Sequence, residues 1–263
     1  MKNETKNNNK VNGLHVIMPA NQKGGASKST TIAEIAAALK SLDQTCLIVN
    51  LEVTKENADT ANTRLRTMLR GSKIMDLDCS NPSTVIERFG EILDVAEKNH
   101  AIILLDIPGA MMTAGNAIWE NLVSSDYFQD LDTFTLVGTV SNESDHFSTA
   151  VHITNLVDHE GKLVLYRGWN NPAHNIKLEN MPEWKAISKS YPAIIMDTRH
   201  DIVEDLMFGR GKFKSVPGLV KLREWYETEG VNLARSERKP AELLLGSIDK
   251  MADFLSEHYL PKL

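Results

Sequence analysis

The stretch NQKGGASKST, residues 21–30, sets two lysines, Lys23 and Lys28, five positions apart around two glycines. It lies between an apolar run at 14–18 and a helical pattern at 30–42, where Ile32, Ile35, Ala36 and Leu39 share one face. A glycine-rich turn in that position aims successive backbone N–H groups at an anion, and the helix that follows adds its positive end. The N–H groups of Gly24, Gly25, Ala26, Ser27 and Lys28 would form such a nest. Lys28 would then neutralise the β- and γ-phosphates of a nucleotide, Ser29 would offer its hydroxyl to Mg²⁺, and Thr30 would sit near the α-phosphate. The alternative is a surface Gly-Lys turn entering a helix. The order strand, loop, Lys-Ser, helix argues against it.

One lysine suffices for this chemistry, so the second needs a reason. KGGASKS at 23–29 resembles the deviant Walker A motif, KGGxxK[ST], of the ParA/MinD family of ATPases. The resemblance implies ATP and Mg²⁺ as cofactors and a homodimer that forms when ATP is bound. It assigns Lys28 to the chain's own nucleotide and Lys23 to the phosphates held by the partner chain. Ser27 stands where the family usually has glycine, which removes backbone freedom from the nest. The family's Walker B strand ends in a carboxylate that holds the Mg²⁺ water shell. Residues 101–105 ending in Asp106 match it; a buried strand with a capping Asp is the alternative, and the phosphate loop beside it argues against that. The following Ile-Pro-Gly, 107–109, looks like the start of switch II, where the γ-phosphate is sensed. After its second strand the family usually carries Asp-x-Asp; here Asn50, Leu51 and Glu52 stand in that place. Glu52 either positions the attacking water or is a surface acid, and the loss of charge at Asn50 predicts slow hydrolysis. Asn170 or Asn171 would hold adenine, as an asparagine after a later strand does in the family. The likeness runs from about 14 to 255 along the chain.

The elements that would carry these residues alternate. Apolar runs at 14–18, 46–51, 101–107, 133–140, 163–166 and 193–196 read as strands, several of them continuously apolar and so buried on both faces of a parallel sheet. Helical patterns fill the spaces, including 82–97 capped by Ser80 or Asn81, and then 201–208, 218–227 and 242–259. This predicts an α/β, doubly wound, mostly parallel sheet flanked by helices, the P-loop NTPase class, with its site at the carboxyl ends of the strands. Residues 1–13 read as a disordered polar tail and 14–263 as one domain.

The 263 residues carry 29 Lys and Arg against 35 Asp and Glu, a net charge of −6, so the whole molecule is no electrostatic glove for nucleic acid. Two cysteines, Cys46 and Cys79, form no CxxC pair, and no apolar run approaches a membrane span, which predicts a cytoplasmic protein that does not enter membranes. Spacings of six and seven between His146, His152 and His159 do not suit a zinc helix. The absence of cysteine beyond Cys79 sets aside an electron-transfer enzyme with a shared cluster. The helix at 242–259, with Lys250 its one Lys or Arg, lacks the basic face of a membrane-targeting tail. Residues 208–223 hold Arg210, Lys212, Lys214, Lys221 and Arg223 and no acid. The segment is either a solvated basic loop or, as the resemblance places it, a contact for DNA without sequence preference. The expected function is an ATP-dependent dimerisation switch that partitions plasmid or chromosomal DNA, or another large cargo, with a small DNA-binding or adaptor partner. The alternative is a conjugation or plasmid-maintenance ATPase, or a MinD-like organiser working through a protein. The early loop favours the small ParA-like class, which lacks an added N-terminal DNA-binding domain.

Overall fold

The computed structural model describes residues 11–263 except 24–26, 54–61, 80, 114, 198–200 and 233, and leaves out the side chains at 52, 53, 231 and 237. In chain order the regular elements are β1 (His15–Ala20), α1 (Lys28–Ser41), β2 (Thr45–Val53), α2 (Thr63–Met68), β3 (Ile74–Asp78), α3 (Pro82–Asn99), β4 (Ala101–Asp106), α4 (Ala117–Val123) and α5 (Asp126–Gln129). There follow β5 (Thr133–Ser141), α6 (Ser144–Leu156), β6 (Lys162–Trp169), α7 (Pro182–Ser190), β7 (Ala193–Met196), α8 (Asp201–Met207), α9 (Leu222–Thr228) and α10 (Arg235–His258).

The strands form one seven-stranded sheet in the order β3-β2-β4-β1-β5-β6-β7, and every pairing is parallel. Doubly buried strands explain the continuous apolar runs. On β1, Val16 and Met18 enter one core cluster and Ile17 the other; on β4, Ile103 and Leu105 oppose Ile102 and Leu104. One face is covered by α1, α8 and α10, the other by α3, α4 and α6, and a third cluster joins β5 and β6 to α7.

The chain leaves β1 toward β2 on one side, and leaves β4 toward β5 on the other. Adjacent strands whose connections depart in opposite directions open a crevice at their carboxyl ends. Register sharpens this: Asn50 on β2 is paired with Asp106 on β4 and with Asp76 on β3, so three polar residues stand in a row there.

Some elements differ from the sequence reading. The edge strand β3, IMDLD, carries two acids and is largely half-exposed, so it lacks the apolar run of its neighbours. Helix α10 starts at Arg235, ahead of the pattern at 242–259, because its first turns, RSERKPAE, are polar and leave no apolar period to read. The pattern at 218–227 divides into a 3-10 turn, Leu219–Lys221, and α9. Asn81 caps α3, its Oδ1 accepting from Ser83 N at 3.0 Å.

Candidate nucleotide-binding site

Beyond β1 the chain is pinned before it turns. Asn21 is fully buried; its Nδ2 donates to the carbonyls of Thr139 at 2.7 Å and His146 at 3.0 Å. Its Oδ1 accepts from Lys23 N at 2.9 Å and Thr149 Oγ1 at 2.8 Å. Gln22 Nε2 donates to Met112 O at 2.7 Å, tying the loop to the turn after β4. Gly24, Gly25 and Ala26 lie outside the described residues. The loop closes through Ser27, which has φ 63° and ψ 26°, the left-handed region that glycine adopts at least cost. Thus the position where the sequence departs from glycine is one where the backbone asks for it. The Ser27 carbonyl accepts from Thr31 N and Oγ1 and so starts α1. Lys28 Nζ donates to Lys23 O at 3.2 Å, folding back over the loop.

The cation side of the site is built from the start of α1, the cap of α2 and the ends of three strands. Ser29 Oγ donates to Asp106 Oδ2 at 2.9 Å, and Asp106 is buried. Asn62 Nδ2 donates to the same oxygen at 2.7 Å and also approaches Asn50 Oδ1 at 3.3 Å. Asn62 holds a left-handed backbone, φ 47°, and its Oδ1 caps α2 by accepting from Leu65 N at 3.2 Å. Asn50, fully buried, donates onward to Asp76 Oδ1 at 3.2 Å, and Arg66 Nη2 closes the chain on that oxygen at 2.5 Å. A hydroxyl and a carboxylate at the end of the phosphate loop are the hard oxygen donors Mg²⁺ takes, so Ser29 and Asp106 fit it. These groups border a cleft of about 620 Å³ that also takes in Lys28, Arg64 and residues 107–110. Gly109 is essential to its floor, since a Cβ there would lie 2.3 Å from Gln22 O.

The other expected site residues divide. Thr30 is buried, and its Oγ1 has no hydrogen-bond partner among the described residues. Glu52 lies on β2 two residues beyond Asn50, but its side chain is outside the described set. Lys23 Nζ sits 2.9 Å from Asp145 Oδ2 of α6 in its own chain, both about half exposed. The Lys23 hydrogen bond holds the Asp145 carboxyl below the usual carboxylate range. Asn170, at the end of β6, accepts from Leu178 N at 2.6 Å and donates to Glu179 at 3.2 Å, shaping the β6–α7 loop. Asn171 is likewise bound to Asn142 and Glu143.

Spacing gave no hint of Asn21, Gln22, Asn62, Arg64 or Asp145. Asn62 alone left a legible signal, an asparagine just before a short helical stretch, the usual mark of an N-cap. Helix α1 is further fixed to β6 by a buried ion pair. Arg167 Nε and Nη2 donate to Glu34 at 3.1 and 3.2 Å, with both side chains almost wholly enclosed. Burial pulls Arg167 down to about 9, which still leaves it charged at neutral pH.

The basic segment is not uniform. Arg210, Lys212 and Lys214 occupy one exposed turn around Phe213, which is buried. Lys221 is also exposed, whereas Arg223 pairs with Asp249 of α10. Arg70, in the turn after α2, grips this segment: it donates to the carbonyls of Val216 at 2.7 Å, Met207 at 2.7 Å and Leu206 at 3.1 Å. The structure therefore groups 210, 212 and 214 and sets Arg223 apart.

No protein-family model and no curated protein matches the chain. Among solved structures it is similar to the MinC:MinD cell division protein complex of Aquifex aeolicus, with TM-score 0.51 and 17% identity over 92% of this chain and 96% of that one. It is similar in the same measure to Aquifex aeolicus MinD, with TM-score 0.51, 17% identity, and 92% and 97% of the two chains covered. At that identity the likeness is one of fold: the parallel, helix-flanked α/β sheet described above is the fold of MinD. No described helix is long and apolar enough to cross a membrane.

Proposed function

We propose that this chain is a slow ATPase whose ATP-bound form dimerises and partitions DNA. The observation that carries the reading is the meeting of Lys28, Ser29 and Asp106 at the crevice between β1 and β4, with Ser29 and Asp106 already in hydrogen-bond contact at 2.9 Å. Lys28 leaves the Lys23 carbonyl to neutralise the β/γ-phosphates, the N–H groups of residues 24–28 would donate to them, and Asn170 would exchange its bonds to Leu178 N and Glu179 to hold the base. Ser29 and Asp106 would hold Mg²⁺, which when bound would supply positive charge at the phosphate oxygens. Asn62 keeps the Asp106 carboxylate in place, and Glu52 orients water.

Lys23 acts across the dimer in this reading. To do so it must leave Asp145, and the exposure of both partners makes that exchange inexpensive. With Asn50 committed to Asp76 and Asn62, turnover should lie below the ~10 s⁻¹ typical of enzymes and rise with a small DNA-binding or adaptor partner. The exposed turn of Arg210, Lys212 and Lys214 neutralises DNA phosphates without reading sequence, so binding should weaken steeply with salt.

The test uses light scattering and gel retardation with Mg²⁺ and a slowly hydrolysed ATP analogue. Wild type should double in mass and retard duplex DNA at ~50 mM salt, a condition that preserves phosphate contacts. Lys28→Ala should lose nucleotide, and Lys23→Ala should bind nucleotide but stay monomeric. Arg210→Glu with Lys212→Glu and Lys214→Glu should dimerise yet leave DNA free. A dimer that ignores DNA would instead favour an organiser that works through a protein, as MinD does with MinC in the similar complex.

A further inference from the structure

Arg64 borders two cavities at once. It lines the 620 Å³ nucleotide cleft with Lys28, Ser29 and Asp106, and it lines a neighbouring hollow of about 370 Å³ with Thr67, Glu204, Phe208 and Arg210. Its guanidinium carbon lies 5.1 Å from the centre of the Phe208 ring, and that of Arg210 lies 4.9 Å from the same ring. Arg64 is exposed and makes no ion pair among the described residues; Glu204 is the acid in its hollow. An arginine held chiefly by a ring face is weakly held. A phosphate oxygen offers it charge-assisted, two-pronged hydrogen bonds, which are much stronger.

Helix α2 gives a movement of Arg64 somewhere to go. At its start Asn62 touches Asp106, and just after its end Arg70 clasps the carbonyls of Leu206, Met207 and Val216. Two positively curved glycines, Gly209 at φ +58° and Gly211 at φ +55°, flank Arg210. The loop that carries the exposed bases is thus bonded, through Arg70, to the turn that follows the short helix whose first turn lines the cleft.

We infer that Arg64 is the residue that tells ATP from ADP, moving from Phe208 to the terminal phosphate and thereby releasing Phe208 and Arg210 in the basic loop. This rests on the nucleotide-binding reading above, but not on DNA being the cargo. The basic loop then takes its ATP-bound arrangement only when a third phosphate is present to draw Arg64 away.

The experiment measures affinities for Mg-ATP and Mg-ADP with fluorescent analogues, and amide hydrogen exchange over residues 205–216, in wild type, Arg64→Ala, Arg64→Lys and Phe208→Ala. Wild type should prefer ATP, and Arg64→Ala should lose about tenfold or more of ATP affinity while ADP affinity stays unchanged, the scale expected for one charged hydrogen-bond donor. Arg64→Lys should recover part of the loss. Exchange over 205–216 should differ between ATP and ADP in wild type and not in Arg64→Ala, and Phe208→Ala should keep the preference for ATP. An Arg64→Ala protein that still prefers ATP as wild type does, or a wild-type loop indifferent to the third phosphate, overturns the inference and leaves nucleotide binding standing. Failure of folded wild type to bind either nucleotide overturns both.

Discussion

Gly109→Ala tests whether the phosphate loop and the turn after β4 are one mechanical unit. A Cβ at 109 would sit 2.3 Å from Gln22 O, 2.7 Å from Gln22 C and 2.8 Å from Asn21 O. Ordinary contact begins at 3.4 Å, so the two backbones must part by about 3.4 − 2.3 = 1.1 Å. Neither neighbour is a side-chain tip that can swing aside: Asn21 is fixed by four hydrogen bonds and Gln22 by its own bond to Met112. The backbone at 109 is not in the left-handed region, so the penalty is one of space alone. Overpacking of this kind costs about 1–3 kcal/mol. If the native fold bears the cost, the melting temperature should fall by roughly 2–12 °C, at about 2–4 °C per kcal/mol for a chain of this size. If the loop yields instead, the cost should appear as roughly a five- to hundredfold loss of ATP affinity, at about 1.4 kcal/mol per tenfold. Thermal melting and a fluorescent-nucleotide titration on the same preparation separate the two. Gly246→Ala serves as the control, since nothing lies within 4 Å of its added Cβ in α10, and it should gain about 0.8–1 kcal/mol from helix propensity. A Gly109→Ala protein unchanged in both measurements would refute the coupling.

Two further predictions concern stability. Glu34→Gln leaves the Arg167 charge buried without its carboxylate, which should cost about 3–5 kcal/mol; Glu34→Met with Arg167→Met should recover most of it, and denaturant melts would show either result. Ser27→Gly relieves a left-handed residue and should raise stability by about 1 kcal/mol, read as a higher melting temperature with ATP affinity retained; a lower one would mean that Ser27 is not strained.

The parts of the fold that were legible in the sequence are those where burial leaves a one-dimensional trace. Strands enclosed on both faces show as apolar runs, β1 and β4 most plainly, and β2, β5, β6 and the half-buried edge strand β7 left apolar-rich runs that were visible too. The β3 edge strand and helices α2, α4, α5, α6 and α7 were not; β3, α2, α4 and α5 bury only a few side chains each. The site shows the same division. Lys28, Ser29 and Asp106 announce themselves by type and by position after an apolar run. Asn62 and Arg64 reach the cleft only because α2 folds back over it, and Asp145 meets Lys23 only because α6 follows β5 beside β1. Such meetings are properties of the sheet order, which no local spacing records.

The sheet order also changes what Asn50 means. Read alone, an asparagine in place of an acid is a lost charge. In the register of the sheet it stands between Asp106 and Asp76, and its amide donates to Asp76 Oδ1, which Arg66 neutralises from the far side. The acid is therefore present, but one strand further out and already paired. Of the described residues lining the cleft, Asp106 is the one carboxylate, facing Lys28 and Arg64. Among these described residues two cations stand beside one acid, a balance that favours holding a polyanion. That balance of charge fits the slow ATPase proposed above, in which Glu52, two residues beyond Asn50 on β2, is the acid that orients water.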